Sequence, residues 1–218
     1  MSAYERMHLL ICEKCEKNFF TDATAFTVVN LDAAGSISDD FRNEKLNLVK
    51  CPLCNTTFVS EMHFLAYSLK QGFAVLALPS AQDSCYIHGK PEIYEFFNMD
   101  IPKLRLVNYQ SEVLEKVRIF ETGLDDYIIE NIKYKFIDKK YFEDKTENIL
   151  LFKEMTDTSL VFEYTTFLGK VNEVFEIPKD EYNSSLTFEE VKLTDKRKNI
   201  WHRVDINYFK ERENAKET

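Results

Sequence analysis

Short β-prone runs dominate the first eighty residues. Residues 9–11 are apolar, and residues 25–31 (AFTVVNL) are rich in the β-branched and aromatic side chains that strands favour. Two further runs, residues 56–69 and 73–78, are joined by a Gln-Gly pair at 71–72 that favours a tight turn. The pattern therefore predicts a strand before the first cysteine and a β-hairpin around the Gln-Gly pair.

Helical spacing appears in the middle of the chain. A helix is predicted between Ser111, a suitable N-cap, and Gly123, the residue type preferred just after a helix. Asp125 is the predicted cap of a second helix. The apolar stripes of the two helices are Val113, Val117 and Phe120, followed by Ile128, Ile132 and Phe136. Two helices separated by one glycine predict an αα-corner.

Two shorter helices are predicted on the N-terminal side of this pair. Ser38 is the predicted N-cap of a helix over residues 39–45, whose first turn carries two acidic residues. Pro91 favours a short helix through Phe97, because proline suits the first helical turn.

The apolar period falls to two after residue 149, which indicates strands. Leu160, Phe162 and Tyr164 occupy alternate positions, and residues 174–177 and 204–208 are also β-prone. Residues 210–218 are strongly charged, so a frayed tail is predicted.

Two C-x-x-C pairs carry the most specific chemical signal. They are Cys12-Glu-Lys-Cys15 and Cys51-Pro-Leu-Cys54, with 35 residues between them. A two-residue spacer lets one turn aim both sulfurs at a common point, and two such turns complete the tetrahedral sulfur shell that zinc accepts. The long segment between the two pairs disfavours a shared metal site only slightly, because doubling the length of a loop costs only about 0.6 kcal/mol in closure entropy. We predict one structural zinc ion bound by Cys12, Cys15, Cys51 and Cys54.

Other roles for these cysteines and their neighbours are open alternatives. Cys51-Pro-Leu-Cys54 is similar to a glutaredoxin-like redox site, but that site needs a helix directly after it, and a β-prone segment follows here. Cys85 is interpreted as an ordinary, partly buried thiol. His8 and His63 flank the cysteine pairs and are alternative ligands or hydrogen-bond donors to the thiolates.

These residues resemble the CpXC family of bacterial and archaeal proteins, a small zinc-ribbon-like module named for its cysteine motifs. The similarity extends over about residues 8–136. It includes Val29-Asn30, Leu46-Asn47, the hairpin from Phe64 to Pro79, and the segment from Glu115 to Glu130. The resemblance implies a metal site and supplies no reaction.

The chain departs from the family pattern at three positions. Glu13 replaces the proline of the first motif, and Glu16 and Asn55 replace the glycine usual after each second cysteine. That position often takes a positive φ, which Asn tolerates better than Glu. A looser first turn is therefore expected.

The charge of the chain argues against some partners. Its formal net charge is −9, so it lacks the basic footprint of a nucleic-acid-binding protein. No apolar run approaches the ~20 residues of a membrane span, and the apolar stretch before Cys12 is too short for a signal-peptide core. We expect a cytoplasmic protein with reduced cysteines and no membrane partner.

One acidic cluster invites comparison with nuclease sites. Asp125, Asp126 and Glu130 precede Lys133, and the last three would share one helix face. The simpler interpretation is a helix start with acids suited to the dipole and an exposed charge network. The chain has no Gly-rich phosphate loop, nucleophile elbow or H-E-x-x-H motif. We therefore predict no catalytic or organic-cofactor site.

The predicted fold class is α+β. We expect a zinc-ribbon-like β module with a long insert over residues 1–80, a helical segment over 81–140, a β-rich part over 141–209 and a frayed tail over 210–218. The leading hypothesis is a non-enzymatic interaction or regulatory protein whose partner is another protein or a second copy of itself.

Two alternative functions remain. The first is nucleic-acid binding through the ribbon, supported only by lysines near the two pairs: Lys14, Lys17, Lys45 and Lys50. The second is a hydrolase or nuclease acting through the C-terminal part, with Asp126 and Glu130 as its acids.

Overall fold

The computed structural model describes residues 3–12, 14–60, 63–78, 101–140, 148–166, 171–185 and 201–205. Within these ranges the chain forms strands and helices of mixed order, which confirms the α+β class. The strands are β1 (Ala3–Ile11), β2 (Asn18–Phe26), β3 (Val28–Asn30), β4 (Leu48–Lys50), β5 (Thr57–Val59), β6 (Phe64–Ser68), β7 (Phe73–Ala77), β8 (Lys103–Val107), β9 (Asn148–Met155), β10 (Ser159–Thr166), β11 (Val171–Pro178) and β12 (His202–Arg203). The helices are α1 (Ser36–Arg42), α2 (Gln110–Glu121), α3 (Asp126–Lys140) and α4 (Lys179–Ser185).

A five-stranded mixed sheet forms the centre of the fold. Its strand order is β12-β8-β7-β6-β3, in which β6 and β7 are antiparallel and the other neighbours are parallel. The β6–β7 hairpin was predicted, and its turn contains Gly72 at φ 71°. The predicted strand over residues 56–69 is divided into β5 and β6. Strand β5 pairs with β4 in a two-stranded sheet, whereas β6 belongs to the five-stranded sheet.

The residues predicted to lie between α2 and α3 are confirmed, but the predicted N-cap of α2 is not. Gly123 has a φ of 73°, and the Asp125 carboxylate accepts a hydrogen bond from Tyr127 N at 2.9 Å, as expected of the residue preceding α3. Ser111 is not the N-cap of α2. The helix begins at Gln110, because the Glu112 carboxylate accepts hydrogen bonds from the N–H groups that precede it.

The short helix α1 also begins earlier than predicted. Ser38 lies inside it, and its hydroxyl donates to the carbonyls of Ala33 and Gly35 at 3.2 and 3.1 Å instead of capping N–H groups. The helix predicted after Pro91 and the prediction for Cys85 both lie outside the described residues.

The C-terminal strands form an antiparallel sheet of order β11-β10-β9, followed by α4. The predicted strands at residues 160–165 and 174–177 are confirmed, whereas only β12 is seen near residues 204–208, of which 206–208 lie outside the described ranges. Tyr182 of α4 accepts a hydrogen bond from Asp125 N at 2.8 Å, which fixes α4 against the start of α3.

The largest core joins the two main sheets through α2 and α3. It contains Val29 and Phe64 from the five-stranded side, Val117 from α2, and Phe162 from the C-terminal sheet, each at most 1% exposed. A separate small core lies beneath the cysteine turns. The zinc-ribbon description, the αα-corner and the division into four segments remain predictions, and the predicted frayed tail over residues 210–218 lies outside the described residues.

Candidate metal centre

The first cysteine pair lies in the turn between β1 and β2. Cys12 follows β1 directly, and its N–H donates to Lys17 O at 3.0 Å. Glu16 N donates to Cys12 O at 2.7 Å, and Glu16 has a φ of 57°. The backbone thus curls back on itself and holds Cys12 and Cys15 on one side of the turn.

The second pair lies in the turn between β4 and β5 and repeats this geometry. Cys51 N donates to Thr56 O at 2.8 Å, and Asn55 N donates to Cys51 O at 3.0 Å. Asn55 has a φ of 60°, at the same position in its turn as the positive-φ residue of the first. In addition, Leu53 N donates to Cys51 Sγ at 3.4 Å. The two hairpins are therefore structurally equivalent around their cysteines.

The two hairpins pack through equivalent aromatic residues. Phe19 follows Cys12 by seven positions and Phe58 follows Cys51 by seven positions. Their rings meet edge to face with centroids 6.3 Å apart. Both rings and both leading cysteines belong to the small core under the turns. This contact draws the two pairs of sulfurs together.

The four sulfurs lie close enough to hold a metal ion. All are within 4.8 Å of one another, with Cys12 Sγ to Cys54 Sγ at 3.5 Å and Cys15 Sγ to Cys51 Sγ at 3.8 Å. A tetrahedral shell with Zn–S bonds of about 2.3 Å has sulfur–sulfur edges of about 3.8 Å. None of these four cysteines forms a disulfide bond. The donor set and its spacing therefore fit a thiolate-bound ion.

The surroundings of the four thiols shift the pKa values of Cys54 and Cys15 in opposite directions. Hydrogen bonds from the hydroxyl and N–H of Thr56 lower the pKa of Cys54 to about 6. The N–H of Lys17 lowers the pKa of Cys15, but partial burial and the other three thiols outweigh it and raise the value to about 11. A divalent cation would stabilise every thiolate around it and so favour ionisation of all four cysteines.

Neither rival for the metal ligands is supported by the geometry. The chain after Cys54 continues into β5, without the helix that a glutaredoxin-like site requires. Among the residues with described side chains, the cluster consists of the four cysteines alone, so His63 is not part of it, whereas the prediction for His8 falls on a side chain outside those described.

A chain in which two equivalent turns bring four thiols together belongs to the class of proteins with a cysteine cluster suited to a metal ion. The model of one family, described as CpXC protein, matches residues 10–133, which is more than half of the 218 residues. The protein belongs to the CpXC family, as the resemblance of its motifs predicted. No curated protein and no solved structure matches the chain.

The β1–β2 hairpin carries apolar side chains on both faces. Leu10 and Phe19 are register partners on the face that packs into the small core. Leu9 and Phe20 are partners on the opposite face and are 56% and 66% exposed; Ile11, on the same face as Leu9, is 63% exposed. We call Leu9, Ile11 and Phe20 the outer face of the hairpin.

The lysines near the two pairs are all at the surface. Lys14, Lys17, Lys45 and Lys50 are exposed. Exposed lysines are the common state of that residue, so their position adds nothing to the prediction of nucleic-acid binding. No helix in the described part of the chain is both long and apolar enough to cross a bilayer.

The charge cluster predicted to lie on an exposed helix face is buried. Asp126 and Glu130 are each 1% exposed, and Lys133 is 4% exposed. The prediction was wrong because the partners come from elsewhere in the chain. Asp126 pairs with Arg105 of β8, and Glu130 pairs with Lys116 of α2.

Lys133 was predicted as part of this cluster, whereas Arg105, Lys116 and Glu115 were not. Lys133 donates to Glu115 Oε1 and Oε2 at 2.9 and 3.1 Å and to Glu130 Oε1 at 3.0 Å, while Phe152 N donates to Glu115 Oε1 at 2.6 Å. The sequence of α2 does contain one indication of a buried charge. Lys116 lies three positions after the buried Val113, on the apolar stripe, where an ammonium needs a buried partner.

Proposed function

We propose that this protein is a non-enzymatic interaction or regulatory protein whose N-terminal module is held together by one zinc ion. The ligands would be Cys12, Cys15, Cys51 and Cys54. The observation that carries the proposal is the convergence of the four sulfurs within 4.8 Å through two turns with the same hydrogen bonds. A preformed sulfur shell of this spacing is what zinc selects.

Zinc here would have a structural role. Four thiolates fill all four positions of a tetrahedral shell, whereas a catalytic zinc keeps one position for water. The small core under the turns contains few apolar residues, principally Phe19, Val49 and Phe58. Structural zinc contributes roughly 10–16 kcal/mol in small zinc-binding peptides, so the ion would supply stability that this core lacks.

Metal analysis tests this part of the proposal. Protein purified without a polyhistidine tag should contain one zinc per chain by mass spectrometry of the metal and should be colourless. A sulfur shell also suits iron, so a coloured protein with stoichiometric iron would contradict zinc. Free alkylation of all four thiols with no bound metal would contradict the site itself.

The outer face of the hairpin would be the contact surface for a protein partner. Leu9, Ile11 and Phe20 are each more than half exposed, on a hairpin that the zinc ion would hold in place. The chain as a whole is acidic, so an apolar protein surface fits this face better than a nucleic acid does. A second copy of the chain is one such surface.

Site-specific crosslinking tests the contact surface. A photoreactive amino acid at Phe20 should give a discrete adduct in intact cells, or a dimer with purified protein. The matched control is Val174, which is 54% exposed on β11. Equal crosslinking at both positions, or none at either, would contradict the outer face as the docking surface.

Nucleic-acid binding is separated from this proposal by salt dependence. Phosphate contacts are strongest at low ionic strength. Binding of a short duplex or single strand at low salt that is lost on replacing Lys14 and Lys17 by Gln would favour the nucleic-acid alternative. Absence of binding under those conditions would leave the protein-contact proposal in place.

A further inference from the structure

Each cysteine turn contains one buried cysteine and one that solvent reaches. Cys12 and Cys51, which come first in their pairs, are 0% exposed. Cys15 and Cys54, which come second, are partly exposed. The two turns are equivalent in this respect, so each turn presents one cysteine to solvent and shields the other.

Two short sulfur–sulfur contacts cross from one turn to the other. Cys54 Sγ lies 3.5 Å from Cys12 Sγ, and Cys15 Sγ lies 3.8 Å from Cys51 Sγ. Each contact therefore joins a partly exposed sulfur of one turn to a buried sulfur of the other. An accessible cysteine with a second cysteine beside it is the arrangement found at redox-sensitive sites.

We propose that the four cysteines form a redox switch, in which hydrogen peroxide converts the zinc-bound site into two disulfide bonds that cross between the turns. These cross-turn disulfides are Cys12–Cys54 and Cys15–Cys51. The inference rests on the proposed zinc site, because it describes how that site responds to an oxidant when it is loaded.

The first cross-turn disulfide forms in two steps. The partly exposed Cys54 thiolate attacks one oxygen of hydrogen peroxide, so that an S–O bond forms, the O–O bond breaks, and the departing hydroxide takes a proton to become water. The Cys12 thiolate then attacks the Cys54 sulfur, so that the S–S bond forms and the S–O bond breaks. The second hydroxide also leaves as water. The two sulfurs lose two electrons, which reduce one peroxide molecule.

The second disulfide forms by the same steps, with Cys15 attacking another peroxide molecule and Cys51 attacking Cys15. Because the thiolate is the form of cysteine that binds a metal, the disulfide sulfurs no longer hold the ion. Four thiolates around one divalent ion carry excess negative charge, whereas two disulfides carry none. This change occurs next to the outer face of the hairpin, because Ile11 directly precedes Cys12. The proposed contact surface thus has a different charge beside it in the two states.

Cross-turn disulfides keep the two hairpins joined after the ion has left. In the chain-entropy model, a disulfide stabilises a fold by restricting the unfolded chain, and the effect grows with the length of the loop that it closes. Cys12 and Cys54 are 42 positions apart, and Cys15 and Cys51 are 36 positions apart. A disulfide within one C-x-x-C pair would close a far shorter loop and would leave the hairpins unlinked.

Disulfide mapping of the unmodified chain tests the pairing. Zinc content is measured first, so that absence of the ion, which would overturn the zinc site and the switch together, is separated from failure of the switch alone. The loaded protein is then titrated with hydrogen peroxide at pH 7, and zinc release is followed with a chromophoric chelator. Remaining thiols are alkylated before digestion. Trypsin after Lys14 and chymotrypsin after Leu53 separate the two cysteines of each pair.

Two peroxide molecules should release one zinc ion, and the linked peptides should join Cys12 to Cys54 and Cys15 to Cys51. Dithiothreitol with added zinc should restore the loaded form. Zinc that stays bound in excess peroxide would overturn the switch and leave the zinc site in place. Disulfides within the turns, Cys12–Cys15 and Cys51–Cys54, would overturn the cross-turn pairing.

The control variant is Cys85→Ser, which removes the remaining cysteine of the chain and none of the proposed ligands. It should release zinc and give the same linked peptides as the unmodified chain. Loss of either linked peptide in this variant would contradict the pairing.

Thermal unfolding gives a second measurement on the unmodified chain. The oxidised, zinc-free protein should unfold at least about 5 °C above the reduced, zinc-free protein, because only the former has its hairpins joined. An equal or lower midpoint for the oxidised protein would contradict disulfides that cross between the turns.

Discussion

Arg105 and Asp126 form a buried two-point ion pair between the central sheet and α3. Arg105 Nε lies 2.6 Å from Asp126 Oδ2, and Arg105 Nη2 lies 3.1 Å from Oδ1. The side chains are 1% and 2% exposed. Asp126 is the first residue of α3, so the pair fixes the start of that helix against β8. Burial would raise the pKa of Asp126, but Arg105 and Lys116 hold it below its ordinary value.

Asp126→Asn should therefore destabilise the protein strongly. The substitution leaves the Arg105 guanidinium buried without a counter-charge, and breaking a buried pair in this way costs about 3–5 kcal/mol. The measurement is the free energy of unfolding from urea titration at pH 7.

The matched control is Glu121→Gln. Glu121 pairs with Arg42 at 2.7 Å, but these side chains are 24% and 34% exposed, so the loss should stay below about 1 kcal/mol. Similar losses for the two variants would show that the buried pair has no special role in stability.

Loss of one thiolate should uncouple the N-terminal hairpins from the rest of the fold. Cys51→Ser should weaken zinc binding by more than about 100-fold, because changing even the outer partners of a metal ligand costs about 10–100-fold. Amide exchange should accelerate in β1, β2, β4 and β5, which share the small core. The β6 and β7 amides, which border the larger core, should stay protected.

Cys85→Ser is the control for that experiment, since Cys85 is predicted to be an ordinary thiol. It should retain one zinc and the exchange pattern of the unmodified chain. Loss of zinc in Cys85→Ser, or its retention in Cys51→Ser, would contradict the proposed ligand set.

The cysteine turns were predictable because residues close together in the sequence determine each of them. A C-x-x-C spacing fixes a turn, and the pairing of two turns needs only one shared ion. A further local signal went unread: an aromatic residue follows each leading cysteine by seven positions, at Phe19 and Phe58, and these rings meet in the structure. That repeat marks the two hairpins as equivalent before any coordinates are known.

The burial of the charge cluster was not predictable from one helix. Acids spaced along α3 have the same pattern whether they face water or a neighbouring element. Their environment depends on Arg105 and Lys116, which reach them from β8 and α2. Tertiary packing therefore decided the outcome, and only the position of Lys116 on an apolar stripe hinted at it.

The positive φ of Glu16 predicts that the first turn is strained. A residue with a Cβ in this region costs about 1–2 kcal/mol, partly offset by the flexibility that glycine adds to the unfolded chain. Glu16→Gly should tighten zinc binding by about two- to fivefold in a competition assay with a chromophoric chelator. Asn55→Gly should change it less than about twofold, because Asn tolerates this conformation. A larger gain for Asn55→Gly would contradict the strain argument.

Asp32 joins the end of β3 to the β6–β7 turn through three hydrogen bonds. Its carboxylate accepts from Ser68 Oγ at 2.6 Å, Leu69 N at 2.7 Å and Lys70 N at 3.1 Å. Desolvation would raise the pKa of Asp32, but these donors outweigh it and lower the pKa below the ordinary value of 3.8. The ionised form is thus favoured in the folded state, and the folded protein binds a proton less readily than the unfolded chain.

A carboxyl group with a lowered folded pKa stabilises the protein above its unfolded pKa, and that contribution is lost as the pH falls through the folded pKa. Asp32→Asn should therefore lower the free energy of unfolding by about 1 kcal/mol at pH 7, because the charge-assisted hydrogen bonds are lost. The difference in the free energy of unfolding between this variant and the unmodified chain should shrink below pH 3.8. Urea unfolding at a series of pH values measures it. Asp157→Asn, at an exposed carboxylate between β9 and β10, is the control and should change the free energy of unfolding at pH 7 by less than about 0.5 kcal/mol. A cost for Asp32→Asn that stays constant from pH 7 down to about pH 2 would mean that the carboxylate charge contributes nothing at this turn.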